Sequence, residues 1–208
     1  MRKEVLIMKK VLSVLLVIAM SLTLFCGCSN GTKEKTEGDF SYVALEDNTA
    51  KITKFNKTDD IITLEIPATL GDMTVTVIGE GAFANAQNLT VVYVPETLIT
   101  IEKGAFAGSS VKKAFLHHAR GLKTIDESAF TECHNLIQVD ISDGVETIGE
   151  KAFYYCENLR VVTFRGNPAS IGTHAFDSCF NAKFYVVKGA SNVVDFAHNH
   201  GIEVVLNG

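Results

Sequence analysis

Apolar residues recur along most of this chain in a fixed beat, with polar residues between them. Ile78-Gly79-Glu80-Gly81-Ala82-Phe83 returns as Ile101-Glu102-Lys103-Gly104-Ala105-Phe106 and as Ile125-Asp126-Glu127-Ser128-Ala129-Phe130. Two more copies follow, Ile148-Gly149-Glu150-Lys151-Ala152-Phe153 and Ile171-Gly172-Thr173-His174-Ala175-Phe176. Their phenylalanines are 23, 24, 23 and 23 residues apart. A constant period in the twenties predicts a solenoid, whose units bury their apolar sides only against neighbours. Behind each phenylalanine comes a second signature, apolar at i, i+3 and i+5. It reads Leu89-x-x-Val92-x-Val94, Leu136-x-x-Val139-x-Ile141 and Leu159-x-x-Val162-x-Phe164. Val111-x-x-Ala114-x-Leu116 fits after a one-residue deletion, and Ala182-x-x-Tyr185-x-Val187 is read as the worn last copy. Side chains alternate along a strand, so i+3 and i+5 point inward while i+2 and i+4 face out.

The five Ile-to-Phe marks, the Cys–Asn–Leu spacing behind them and strand ends such as Val94-Pro95 resemble the BspA-like (Treponema pallidum type) leucine-rich repeat family. Leu64-Glu65-Ile66-Pro67 followed by Val75-Thr76-Val77-Ile78 resembles that family's opening half-repeat. The resemblance covers roughly residues 40–208. It implies a secreted or surface-attached protein with a role in adhesion to host matrix proteins or to other microbes. The fold expected is a β-rich α/β solenoid of leucine-rich repeats. Repeat two departs from the pattern: it lacks the cysteine and carries extra residues around His117-His118-Ala119-Arg120-Gly121, which predicts a bulge. Asn88, Asn135, Asn158 and Asn181 stand just before the strands, so any asparagine ladder sits at a different corner from the usual one.

An open solenoid end exposes core and unpaired edges, so both ends need caps. Tyr42–Leu45 and Lys51–Phe55, split by Glu46-Asp47-Asn48-Thr49, read as a capping hairpin. Asn192–His200 reads as a short helix stopped by Gly201, with Ile202–Leu206 as a last strand. The domain plan is a cap and opening half-repeat at 40–77, five repeats at 78–187 and a C-terminal cap at 188–208.

The first 27 residues follow different rules. Arg2, Lys3, Lys9 and Lys10 precede the apolar run Val11–Phe25, about 15 residues long. That is short of the roughly 18–20 a membrane-spanning helix needs, and it has the layout of a secretory signal peptide starting at Met1 or Met8. Gly27-Cys28 at its end resembles a bacterial lipobox, which makes residues 1–27 a lipoprotein signal peptide and Cys28 the candidate lipidation site. Ordinary signal cleavage is the alternative. A lipidated Cys28 would carry a multi-chain membrane anchor. Residues 28–39 contain SNGTKEKTEGD, with no apolar side chain, and are expected to be a disordered tether.

Removing residues 1–27 takes four Lys/Arg and one Asp/Glu from totals of 19 and 24, leaving a net charge of −8. That balance argues against nucleic acid as a partner, which calls for a basic stripe. The chain contains no G-x-S-x-G, and Gly79-x-Gly81 lacks the third glycine of a phosphate loop. No catalytic residue, cofactor or metal is expected. Cys133, Cys156 and Cys179 each lie three residues after a phenylalanine and form a column on successive coils. Adjacent coils are close enough for a disulfide, but the repeat places these thiols inside, where they pack as small hydrophobes. His198-Asn199-His200 does not converge two imidazoles on a short helix.

What remains is the outward side of the strands. The two outward columns are read as Val91 and Tyr93, Lys113 and Phe115, Gln138 and Asp140, Val161 and Thr163, and Phe184 and Val186. Beside them run Thr90, Lys112, Ile137, Arg160 and Lys183. Aromatics next to Lys and Arg on an acidic protein have the composition of a binding patch. Tyr93, Phe115, Lys112, Lys113, Arg160 and Phe184 are the candidate partner-binding residues, for a protein or glycan ligand such as host extracellular matrix. The competing reading is a structural spacer of the cell envelope, because strands favour such residues in any case.

Overall fold

A computed structural model describes residues 33–57 and 61–207. The expected signal peptide at 1–27 and the candidate lipidation site Cys28 lie outside the described residues. The chain opens on β1 (Lys35–Glu37), β2 (Phe40–Ala44) and β3 (Thr49–Phe55), an antiparallel cap. Asp47 and Asn48 both have positive φ, 55° and 57°, as the two-residue turn joining twisted strands demands. The cap is the hairpin the sequence predicts, with one correction. The tether was expected to run to Asp39, yet Lys35–Glu37 forms β1 on the cap's outer edge. All three of its side chains are exposed. An edge strand needs only backbone pairing, so it leaves no apolar trace in the sequence.

The opening half-repeat supplies β4 (Ile61–Glu65), β5 (Thr69–Leu70) and β6 (Met73–Ile78). Each later coil then gives one longer and one short strand. These are β7 (Leu89–Tyr93) and β8 (Thr100–Ile101), β9 (Lys113–Phe115) and β10 (Thr124–Ile125), and β11 (Gln138–Ile141) and β12 (Thr147–Ile148). The last full pair is β13 (Val161–Phe164) and β14 (Ser170–Ile171), followed by β15 (Lys183–Val187), helix α1 (Ser191–Asn199) and β16 (Glu203–Asn207). Gly201, at φ 67°, ends the helix region, since glycine enters the left-handed region without steric cost.

Among the described residues the longer strands form a seven-stranded sheet, ordered β16-β15-β13-β11-β9-β7-β4, and every neighbouring pair in it is parallel. The short strands join the cap in a second sheet ordered β1-β2-β3-β6-β8-β10-β12-β14. The result is a parallel β-solenoid of about seven turns with a single C-terminal helix.

Between the sheets runs a column of stacked rings. Successive centroids from Phe83 through Phe106, Phe130, Phe153 and Phe176 are 4.8, 4.8, 5.3 and 4.9 Å apart, with interplanar angles of 14° or less. Their spacing matches that of neighbouring strands, because the backbone stacking sets the ring stacking. Phe55 closes the column at the cap, 5.3 Å from Phe83, and Phe196 of α1 meets Phe176 edge-on at 6.0 Å. Beside the rings, Cys133, Cys156 and Cys179 are buried and unpaired. Each thiol donates to the phenylalanine carbonyl one coil back: Cys133 to Phe106 at 3.0 Å, Cys156 to Phe130 and Cys179 to Phe153 at 3.1 Å. In repeat two Ser109 takes the position, 3.4 Å from the Cys133 sulfur. Burial pushes the Cys156 thiol well above its ordinary pKa, which suppresses the reactive thiolate.

Candidate partner-binding surface

Pairing register fixes which side chains share a column on the outer face of the longer strands. One column runs Val91, Lys113, Gln138, Val161, Lys183 and Glu203. The next runs Glu65, Tyr93, Phe115, Asp140, Thr163, Tyr185 and Val205. The last repeat corrects the expectation drawn from the sequence. Phe184 and Val186 were expected outside, but both are fully buried, and Phe184 packs 4.9 Å from Phe164 and from Phe176. Phe184 is therefore a core residue and leaves the candidate set. The last copy is one residue short, like the second: Phe176 to Phe184 is eight positions, as is Phe106 to Ala114. Alternation then turns Lys183 and Tyr185 outward instead.

Tyr93 and Phe115 stack with centroids 5.0 Å apart and planes at 19°. Both are half-buried at their bases. The bulge of repeat two folds over their C-terminal side. Ala119 anchors it by burying completely, and this throws His117 and His118 onto the aromatic pair. His118 lies 6.5 Å from Tyr93, His117 stands perpendicular to Phe115 at 6.0 Å, and the two imidazoles are 4.1 Å apart. Four rings thus form one patch across two coils. Lys112, Lys113 and Arg160 are exposed at the N-terminal side of the strands. A small notch of about 210 Å³ there is lined by Lys112, Asn135, Ile137, Asn158 and Arg160. Asn158 donates to the His134 carbonyl of the preceding coil at 2.7 Å, so this asparagine bridges coils ahead of the strand.

On the C-terminal side opens a cleft of about 900 Å³, lined by Glu96, His117, His118, Arg120, Asp143, Arg165 and Val187. Next to two of its lining residues, His117 and Arg165, is Asp140, which follows Phe115 in the aromatic column and is 7% exposed. The carboxylate accepts from Gln138 Nε2 at 3.1 Å and lies 3.7 Å from both His117 Nδ1 and Arg165. Burying a carboxylate without such partners would cost several kcal/mol. Burial first, then the charges of His118 and Arg165, hold the His117 imidazole below its ordinary pKa, while Asp140 pulls the other way. His117 Nδ1 is itself buried without a hydrogen-bond partner among the described residues. The sequence places the histidine pair in an irregular turn but does not show this cleft, because Asp143 and Arg165 reach it from later coils.

A second aromatic pair lies at another corner. Tyr154 and Tyr155 are 5.0 Å apart, Lys151 sits 5.5 Å over the Tyr154 ring, and Tyr155 is 40% exposed. His200 is occupied inside the C-terminal cap, bonded through Nδ1 to the Phe196 carbonyl and stacked on its ring at 4.0 Å.

A model of the BspA type leucine-rich repeat region matches residues 48–183 in six copies. Among solved structures, the chain is similar to the T. pallidum leucine-rich repeat protein, with 25% identity over 74% of this chain and 71% of that one, at a TM-score of 0.64. It also resembles the pneumococcal vaccine antigen PcpA in fold, with 17% identity over 78% of this chain and 52% of that one, at a TM-score of 0.58. No curated protein matches the sequence.

Proposed function

The chain belongs to the BspA-type leucine-rich repeat family, and from that premise we propose that it is a surface-held binding module that grips a protein or glycan partner on its strand face. Leucine-rich repeat scaffolds of this type generally bind rather than catalyse. The observation that carries the reading is the stacked Tyr93–Phe115 pair with His117 and His118 against it and exposed Lys112, Lys113 and Arg160 nearby. Rigid aromatics next to cations are the usual anchors of an interface. A lipid on Cys28 would hold the domain at the membrane, with the polar residues after it as a short spacer before β1.

The second reading, an envelope spacer without a ligand, draws on the strand preference for aromatics and on Asp140, which fills its place in the column with internal bonds. The two readings separate in one experiment. Residues 33–208, immobilised and offered purified matrix proteins, glycans and envelope proteins, should retain a defined partner at physiological salt. A spacer retains none, and a partner retained equally by an unrelated solenoid would count as non-specific.

A further inference from the structure

The phenylalanine corner of the solenoid carries a directional ladder that is unfinished at both ends. Each coil gives at least two backbone N–H groups to the next: Phe83 and Asn85 to Ala105 and Ala107, and Phe106 and Gly108 to Ala129 and Thr131. Phe130 and Glu132 then donate to Ala152 and Tyr154, and Phe153 and Tyr155 to Ala175 and Asp177. Donors therefore face the C-terminal end and acceptors face the N-terminal end. In the last coil the Phe176 and Ser178 N–H groups find no acceptor among the described residues. In the first coil the cap's Phe55 N–H takes the Ala82 carbonyl at 2.8 Å, but the Ala84 carbonyl has no donor among the described residues.

Both ends are notched at this same corner. The C-terminal notch, about 300 Å³, is lined by Phe176, Asp177, Phe180, His200 and Ile202 among others. The N-terminal one, about 290 Å³, is lined by Phe55, Lys57, Phe83, Ala84, Ala86 and Leu89 among others. Phe180 stands 78% exposed on the C-terminal rim. Earlier coils hold polar residues in that column, namely Gln87, Ser110, His134 and Glu157. A bare phenylalanine at a solenoid end contradicts the usual polar outer face of a capping repeat. The rims also differ in charge. Asp177 borders Phe180, whereas Lys57 borders the other notch, paired only loosely with Asp39 at 3.7 Å on the surface.

We propose that a second copy of this chain docks head to tail, its N-terminal notch against the C-terminal notch of the first. Phe180 enters the notch beside Phe55 and Ala84, Ser178 N–H continues the ladder to the Ala84 carbonyl, and Asp177 faces Lys57. Such a contact joins two different patches, so it does not close on itself and builds open strings of copies. The strand face stays free along the string, and this assembly stands or falls independently of the binding role given to Tyr93 and Phe115.

The test is sedimentation of the full chain in detergent micelles over a rising concentration series. The weight-average mass should climb without a plateau. Phe180→Asp, Lys57→Asp and Asp177→Lys should each return the chain to a single copy with a nearly unchanged melting transition, since Phe180 and Lys57 are exposed and Asp177 is half-exposed. Mixing Lys57→Asp with Asp177→Lys should restore the strings, because every junction in the mixture regains an opposite pair. Mass that stays at one copy, saturates at two copies, persists in Phe180→Asp, or fails to return on mixing overturns the proposal.

Discussion

Removing one ring from the middle of the phenylalanine column tests the energetic heart of the fold. Phe130 is fully buried between Phe106, 4.8 Å away at 3°, and Phe153, 5.3 Å away at 7°. Truncation to alanine loses the ring's transfer free energy and both stacking contacts, and it leaves a cavity. Phe→Ala changes in cores cost about 3–5 kcal/mol, depending on how far the site can collapse. Here collapse is resisted, because the flanking coils are pinned by backbone bonds from Phe106 to Ala129 at 2.8 Å and from Phe130 to Ala152 at 2.7 Å. Each aromatic pair adds about 0.5–1.5 kcal/mol beyond area burial. The expected loss therefore sits in the upper half of that range, against a total stability of about 5–15 kcal/mol for a typical domain. Urea melts of residues 33–208 would measure it. The control is Phe180→Ala, whose ring is 78% exposed and whose loss should stay within about 0.5 kcal/mol. A loss under about 1 kcal/mol for Phe130→Ala would mean that the stacked column does not hold the coils together.

The thiols of Cys133, Cys156 and Cys179 should resist modification in the folded domain and all three should react after unfolding; thiol counting that finds fewer than three would reveal a bridge. Acidification should weaken the fold through His117. Its folded pKa lies below its ordinary value, so the unfolded chain binds the extra proton first, and stability present above about pH 6.5 is lost as pH falls through the folded pKa. His117→Gln should flatten that part of the stability profile, and an unchanged acid slope in the variant would remove His117 as the source. Mass spectrometry of the native protein should find lipid on an N-terminal Cys28, whereas a mature chain beginning elsewhere, without lipid, would contradict the anchor.

The repeat beat made the core legible because one residue type does one job in every coil. Ile, Ala and Phe at fixed spacing can only stack, and the buried cysteines follow from their place behind the rings. The register of β15 was not legible because the Ala182–Tyr185–Val187 match copies the longer repeats, while the eight-residue step from Phe176 to Phe184 repeats the deletion seen at Ala114. β1 was missed because an edge strand with three exposed side chains has no apolar signal. The corner residues Ser128, Glu132, Lys151 and Tyr155 adopt φ of 57–60° although none is glycine, so the tight corner is imposed by the ladder rather than by local preference. On the surface, the Tyr93–Phe115 pair was readable from register. The charge cluster around Asp140 was not, since its partners His117 and Arg165 converge from neighbouring coils.

The binding role rests on the strand-face aromatics, and an affinity measurement on Tyr93→Ala/Phe115→Ala tests it most directly. Both rings point away from the coil interior, in the outer column of their strands. Buried interface aromatics typically contribute about 2 kcal/mol or more each, and each 1.4 kcal/mol is a factor of about ten in affinity. Two rings together make about 4 kcal/mol, so the double variant should bind the retained partner roughly 700-fold more weakly, with a nearly unchanged melting transition. Full affinity in a folded double variant would contradict the account and move the Tyr154–Tyr155 corner, or the spacer reading, ahead of it.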